Sequence, residues 1–166
     1  MMGVLIMRTS AHGRLGFTLV ELILVLTLLS ILSIIAVPRI MRFNDRWILQ
    51  SSAHMLANDI RLMQRLAVQE CSEYNFELHT TQFYYILRIN DLKKPNMKKV
   101  YLDSKITSIS STLNKPYTDH MADLCVLIFS YLGSPYHAGE IILETASGES
   151  IRLTVDVTTG RVKVYD

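Results

Sequence analysis

The polar and apolar positions of this chain fall into three patterns in succession. From Phe17 to Val37 apolar residues run on without a break, and the only ionisable group among these 21 residues is Glu21. As a helix that run is about 31 Å long, the thickness of a bilayer's hydrocarbon core. Beyond it Leu49, Ala53, Leu56, Ile60, Met63 and Ala67 step by four and three, while Ser51, His54, Asn58, Arg61 and Arg65 fill the opposite stripe. That is the period of one amphipathic helix laid on an apolar partner, spanning about residues 39–70. Met55, Met63 and the lone Trp47 are expected in the core or in a contact between subunits. Pro38 stands between the two helical patterns, and removing its N–H from the ladder predicts a kink or a locally melted turn.

From Tyr74 the period changes to that of strands. Segments 74–79, 82–89, 105–110, 124–130, 140–145, 150–157 and 161–165 are rich in β-branched and aromatic residues. Ala146-Ser147-Gly148-Glu149 and Thr158-Thr159-Gly160 join the last three as a meander of tight hairpins. Residues 90–96, with Pro95, and 114–123, with Pro116, read as loops. The expected fold class is α+β: a long N-terminal helix, half membrane-spanning and half amphipathic, with its distal half packed on an antiparallel β-sheet head over about residues 74–166.

Composition sharpens this. The chain has 166 residues, 49% of them hydrophobic and 19% charged, with a net charge of +2. It is too apolar to be disordered and too balanced in charge to be a bulk nucleic-acid binder. The leader before the span carries Arg8, His12 and Arg14 as a secretory signal would, but the apolar run is too long and Ala36 has Ile34 two residues before it, so an ordinary signal cut is not expected. Arg39, Arg42 and Arg46 follow the span, so the positive-inside count does not orient it. No G-x-S-x-G, H-E-x-x-H, Walker A or C-x-x-C motif occurs, and the five histidines lack metal-ligand spacing. Neither an enzyme nor a cofactor or metal site is expected.

Arg14-Leu15-Gly16-Phe17-Thr18-Leu19-Val20-Glu21, followed by the apolar run and Pro38, resembles the class III leader of type IV prepilins and pseudopilins. The resemblance implies that residues 1–16 are a leader removed by prepilin peptidase between Gly16 and Phe17, and that Phe17 is then N-methylated. It implies that residues 17–37 form a transmembrane and filament-core helix, and that residues 38–166 form an extracytoplasmic head. Glu21 and Pro38 take the fifth and twenty-second mature positions, where the family places residues of filament assembly. A lone carboxylate in a membrane helix needs a partner or a role; here the resemblance supplies the free amine of a neighbouring subunit's Phe17. Removing the leader takes away two basic side chains, Arg8 and Arg14, and leaves the mature chain balanced.

A second resemblance narrows the family. Phe129, Gly133, Pro135, Gly139 and Ile141, with Leu153-Thr154-Val155-Asp156-Val157 and Thr159-Gly160-Arg161-Val162-Lys163-Val164, are similar to the C-terminal region of minor pilins and pseudopilins of the GspH/FimT group. Ala57-Asn58-Asp59-Ile60-Arg61, Gln64 and Ala67, with the short tail, are most similar to ComGD-type competence pseudopilins. The function implied is a minor pseudopilin of a type IV pilus-like filament, most naturally the competence pseudopilus for DNA uptake. The rival readings are a GspH-like subunit of a type II secretion system and a FimT-like DNA-binding minor pilin. The implied partners are prepilin peptidase, other pilin or pseudopilin subunits, the cytoplasmic membrane and, weakly, DNA.

The DNA expectation rests on Gly160-Arg161-Val162-Lys163, similar to a Gly-Arg-x-Arg tail motif with lysine in place of the second arginine. Alternation along a strand puts Arg161, Lys163 and Tyr165 on one face. The bland alternative is an edge strand protected by two charges. Lys93, Lys94, Lys98 and Lys99 around Pro95 read as a solvated basic loop. Cys71 and Cys125 either form a disulfide or leave Cys125 as a small buried hydrophobe.

Overall fold

A computed structural model describes residues 17–91, 95–115 and 123–165. The leader with Gly16, Lys93 and Lys94 of the basic loop, and Pro116 lie outside the described residues. Helix α1 runs from Leu19 to Gln69. It is followed by strands β1 (Tyr74–His79), β2 (Tyr84–Ile89), β3 (Lys98–Tyr101), β4 (Ile106–Ser111), β5 (Leu124–Phe129), β6 (Gly139–Thr145), β7 (Ser150–Val155) and β8 (Val162–Tyr165). The chain divides into two compact units, Met1–Arg39 and Ile40–Asp166.

In the first unit α1 continues through Pro38, so the melted turn expected there is absent. A proline removes one hydrogen bond from the ladder, and the neighbouring residues keep their helical conformation. The large apolar side chains from Leu19 to Val37 are all exposed within the chain.

In the second unit the stripe Leu49, Ala53, Leu56, Ile60, Met63 and Ala67 is buried, while Ser51, His54, Asn58, Arg61 and Arg65 face out. The head is two four-stranded antiparallel sheets, β3-β2-β1-β5 and β4-β6-β7-β8, where the sequence suggested one. Alternation fixes which face of a strand is apolar but not which strand lies beside it. The helix stripe joins one core with Tyr74, Phe76 and Leu78 of β1, Leu127 and Phe129 of β5, and Ile141, Leu143, Ile151 and Leu153 of the second sheet. Each large apolar side chain fully buried there contributes about 1.5–3 kcal/mol, which makes this core the dominant stabilising contribution. Met63 belongs to it and Met55 packs at its margin, but Trp47 is 63% exposed.

Turn chemistry sets several strand ends. β2 starts at Tyr84 because Phe83 sits in the turn at φ +53°. β7 ends at Val155 because the Asp156 carboxylate accepts hydrogen bonds from both the N–H and the hydroxyl of Thr158, closing an Asx-type turn. Those bonds hold the Asp156 carboxyl below its ordinary value.

The cysteines do not bridge. Cys71 is exposed and Cys125 buried, and both are free thiols. Cys71 ends α1 in the left-handed position, φ +49°, with Ser72 N–H donating to the Ala67 carbonyl in a Schellman arrangement. Cys125 lies opposite Leu78, while Tyr74, the first residue of β1, lies opposite Phe129. The four-residue run from Tyr74 to Leu78 covers about 13 Å, about twice the Cα separation a disulfide allows.

The basic loop also departs from expectation. Lys98 and Lys99 lie in β3, a strand that the two lysines disguised. Lys99 lies over the Tyr84 ring, 3.8 Å from its centroid. Lys98 Nζ donates to both oxygens of the buried Asp59, at 2.7 and 3.0 Å, and the buried Tyr85 hydroxyl donates to Asp59 Oδ2 at 2.6 Å. Burial and this carboxylate push the Tyr85 hydroxyl far above its ordinary pKa. Asp59→Ala strands the Tyr85 hydroxyl, whereas Lys98, with its side chain 46% exposed, recovers water. The expected loss is about 1–3 kcal/mol in denaturant unfolding of the detergent-solubilised chain, most of it absent when the substitution is made in a Tyr85→Phe background.

Candidate functional site

Two features sit outside the shared core. The first is the N-terminal part of α1. Thr18 is its N-cap: Leu22 N–H donates to the Thr18 carbonyl, and Glu21 N–H donates to Thr18 Oγ1 at 3.2 Å. Thr18-x-x-Glu21 therefore carries the spacing of a capping box, a signal present in the sequence that the leader reading passed over. A carboxylate in the first turn also complements the positive end of the helix dipole. The hydroxyls of Thr27, Ser30 and Ser33 donate to the carbonyls of Leu24, Leu26 and Leu29. With their polarity satisfied inside the helix, they leave its outer surface apolar. Phe17 and Glu21 are exposed within the chain. Among the described residues, α1 is the one helix long and apolar enough to cross a membrane, with a mean hydropathy of 2.7 over its most apolar window.

The second feature is the β8 edge of the second sheet. Gly160 N–H donates to the Asp156 carbonyl, and Asp156 N–H donates to the carbonyl of Arg161, which closes the turn between β7 and β8. Gly160 has φ +63°, and a Cβ placed on it would meet Gln64 Nε2 at 2.4 Å and the Gly133 carbonyl at 3.0 Å. A glycine is needed there for its backbone angle and for the close approach. The helix reaches this edge with two side chains. Gln64 Nε2 donates to the Gly133 and Thr159 carbonyls at 2.9 and 3.1 Å, and an Arg61 guanidinium N–H donates to the Val162 carbonyl at 3.0 Å.

Val162 is buried under this edge, while Arg161, Lys163 and Tyr165 are exposed in the alternation expected of them. Arg161 precedes the strand, whose first residue is Val162. Arg161, Lys163 and Tyr165 share a shallow recess of 370 Å³ with Asp156 and Thr159, and Arg161 shares another of 440 Å³ with Arg61 and Gln64. Arg61 is thus a third cation at the edge, brought from 100 residues earlier in the chain. Its place on the polar stripe of α1 gave no sign of that. Asp156 offsets part of this charge, so the stripe is basic but not strongly so.

Residues 12–37 match the family described as prokaryotic N-terminal methylation motif. No curated protein matches the sequence significantly. Among solved structures the chain is similar to the minor pseudopilin EpsH from the type 2 secretion system of Vibrio cholerae. The TM-score is 0.55 at 12% identity, covering 70% of this chain and 95% of that one. It is also similar to the type IV minor pilin FimU of Pseudomonas aeruginosa PAO1, with a TM-score of 0.57 at 12% identity, covering 75% of this chain and 92% of that one. The fold is therefore pilin-like: a long N-terminal helix whose distal part packs on an antiparallel β-sheet head.

Proposed function

We propose that this chain is a minor pilin or pseudopilin of the GspH/FimT type, held in the cytoplasmic membrane by residues 17–37 and incorporated into a type IV pilus-like filament. The observation that carries this reading is the coincidence, in one chain, of an N-terminal methylation motif at residues 12–37 with a pilin-like head. In this reading residues 1–16 are the leader, prepilin peptidase cuts between Gly16 and Phe17, and Phe17 is N-methylated. Residues 38–166 are the extracytoplasmic head. The apolar surface of residues 17–37 packs against other subunits once the helix leaves the lipid, in heterologous contacts that do not close. Pro38 marks the passage from filament core to head. In intact-mass analysis of membrane-extracted protein, the expected product begins at Phe17 and carries one additional methyl group. A mature start after Ala36, or an uncut leader in cells with active peptidase, would overturn the reading.

Glu21 is the assembly residue within it. Its backbone N–H, not its carboxylate, makes the bond to Thr18. Glu21→Leu should therefore keep the helix start, the membrane insertion and the folded head while removing the charge that would meet a neighbour's Phe17 amine. The expected outcome is normal membrane levels with loss from sheared filaments; wild-type recovery in the sheared fraction removes Glu21 from assembly.

The finer reading is a competence pseudopilus for DNA uptake, supported by the ComGD-like text of residues 57–67 and by the basic edge. EpsH's origin in a secretion system supports the rival GspH-like role. Direct DNA contact through Arg161 and Lys163, as in a FimT-like pilin, gains support from Arg61 standing beside Arg161. Three cations release few counterions, and lysine lacks arginine's bidentate fork, so binding should be weak, indifferent to sequence and shallow in its salt dependence. Titration of labelled DNA with the detergent-solubilised chain should show Arg161→Ala/Lys163→Ala binding several-fold more weakly. Equal binding by the two proteins, or none by either at low salt, leaves this edge without a receptor role and its charges as protection against strand pairing.

A further inference from the structure

Arg42 and Arg46 are unexplained by the core, by the β8 edge or by the span. Within the second unit they occupy the same helix stripe, at i and i+4, that one turn later carries Leu49 and Ala53 into the core. Where the head stops covering the helix, this stripe changes from leucine to arginine. The adjoining stripe of the same turns, about 100° round the helix, carries Ile40, Phe43 and Trp47 at i, i+3 and i+7, exposed by 66%, 74% and 63%. Both arginines are exposed, and neither takes part in the ion pairs found among the described residues. The one acid in the segment, Asp45, is engaged by Lys105 Nζ at 3.4 Å. Arg46 lines a small recess with Leu49, Gln50 and Glu149 at this end of the head.

Exposed cations without an ion pair and large aromatics on one short helical segment, beginning within five residues of an apolar run of bilayer length, form the residue pattern of a membrane interface. Arginines carry their apolar stems along the hydrocarbon edge and present the guanidinium to phosphate, and tryptophan prefers the headgroup level. We propose that Arg42 and Arg46, with Phe43 and Trp47 inserted beside them, bind anionic phospholipid headgroups of the leaflet on the head side of the membrane. This rests on the membrane-anchored reading given above. A second copy of the chain is a poorer occupant: like faces brought together would place arginines against arginines, with the segment's only carboxylate already engaged. The device explains why cationic residues follow the span although the positive-inside rule would disfavour them there: they hold the subunit to the lipid surface until it is drawn into a filament.

Trp47 is the chain's one tryptophan, so its fluorescence reports this segment alone. The test uses the full mature chain in vesicles containing either brominated phosphatidylcholine or brominated phosphatidylglycerol, with bromine near the glycerol end. The expected result is that phosphatidylglycerol quenches Trp47 at a roughly 25-fold lower mole fraction, about fivefold for each of the two arginines. The preference should weaken as salt is raised. It should fall by about fivefold for each arginine neutralised in Arg42→Gln and Arg42→Gln/Arg46→Gln, and survive in Arg42→Lys/Arg46→Lys. Equal quenching by the two lipids in the wild-type chain, or an unchanged preference in the double glutamine variant, overturns the proposal. So does shielding of Trp47 that grows with the protein-to-lipid ratio and ignores lipid charge, which would identify a second copy as the occupant. Alkaline carbonate extraction separates the two readings: a chain released from the vesicles refutes the anchoring itself, whereas a retained chain without headgroup preference refutes this inference alone.

Discussion

The stripe from Leu49 to Ala67 on α1 has to satisfy two sheets at once, and the arrangement of the head follows from that. Both sheets contribute their buried apolar residues to a single core with this one helix. Ala53, Ala57 and Ala67 are buried in it with the larger Leu56, Ile60 and Met63 and with the rings of Tyr74, Phe76 and Phe129. Since a methylene lost from such a core is felt directly, the stripe tolerates few substitutions.

Apolar burial holds the helix against the sheets but does not fix its rotation or its height. That falls to three polar side chains on neighbouring turns. Asp59 reaches the first sheet through the Tyr85 hydroxyl and Lys98, Arg61 reaches the second through the Val162 carbonyl, and Gln64 ties the Gly133 and Thr159 carbonyls together. Each hydrogen bond adds only about 1 kcal/mol net, yet a shifted helix would leave buried polar groups unmade, and that penalty is larger than the gain. The same contacts determine the exposed β8 edge. The left-handed backbone at residue 160, with Gln64 and the Gly133 carbonyl close by, favours glycine there, and the turn this glycine permits presents Arg161 and Lys163 to solvent.

The first unit answers to different physics. Among its described residues the side chains make no core, so their apolar surface is stable only in lipid or against other helices, and the hydroxyls of Thr27, Ser30 and Ser33 are bonded back to their own helix. A carboxylate at Glu21 is tolerable near the helix start, where the dipole and the capped first turn favour it. In the filament proposed above, protein would replace lipid around the same surface, so one segment would serve as both membrane anchor and assembly element.

Periodicity and turn residues were enough to identify the helix stripe, seven of the eight strands and the final meander, because each is a local consequence of burial on one face. The Arg161–Lys163–Tyr165 alternation was legible for the same reason, and the N-terminal methylation motif because it is a contiguous run of residues. Long-range pairing was not. β3 remained hidden because Lys98 and Lys99 look like solvent residues until Asp59, 39 positions away, supplies a carboxylate. Cys71 and Cys125 seemed bridgeable until β1 and β5 paired in a register that sets them at opposite ends. Arg61 gave no sign of standing beside Arg161, and two sheets could not be told from one. The sequence by itself determined which face of each element meets the core, since that depends on neighbours three or four residues away. Only the tertiary structure decided which strands are neighbours and which charges meet, since those depend on contacts between residues tens of positions apart.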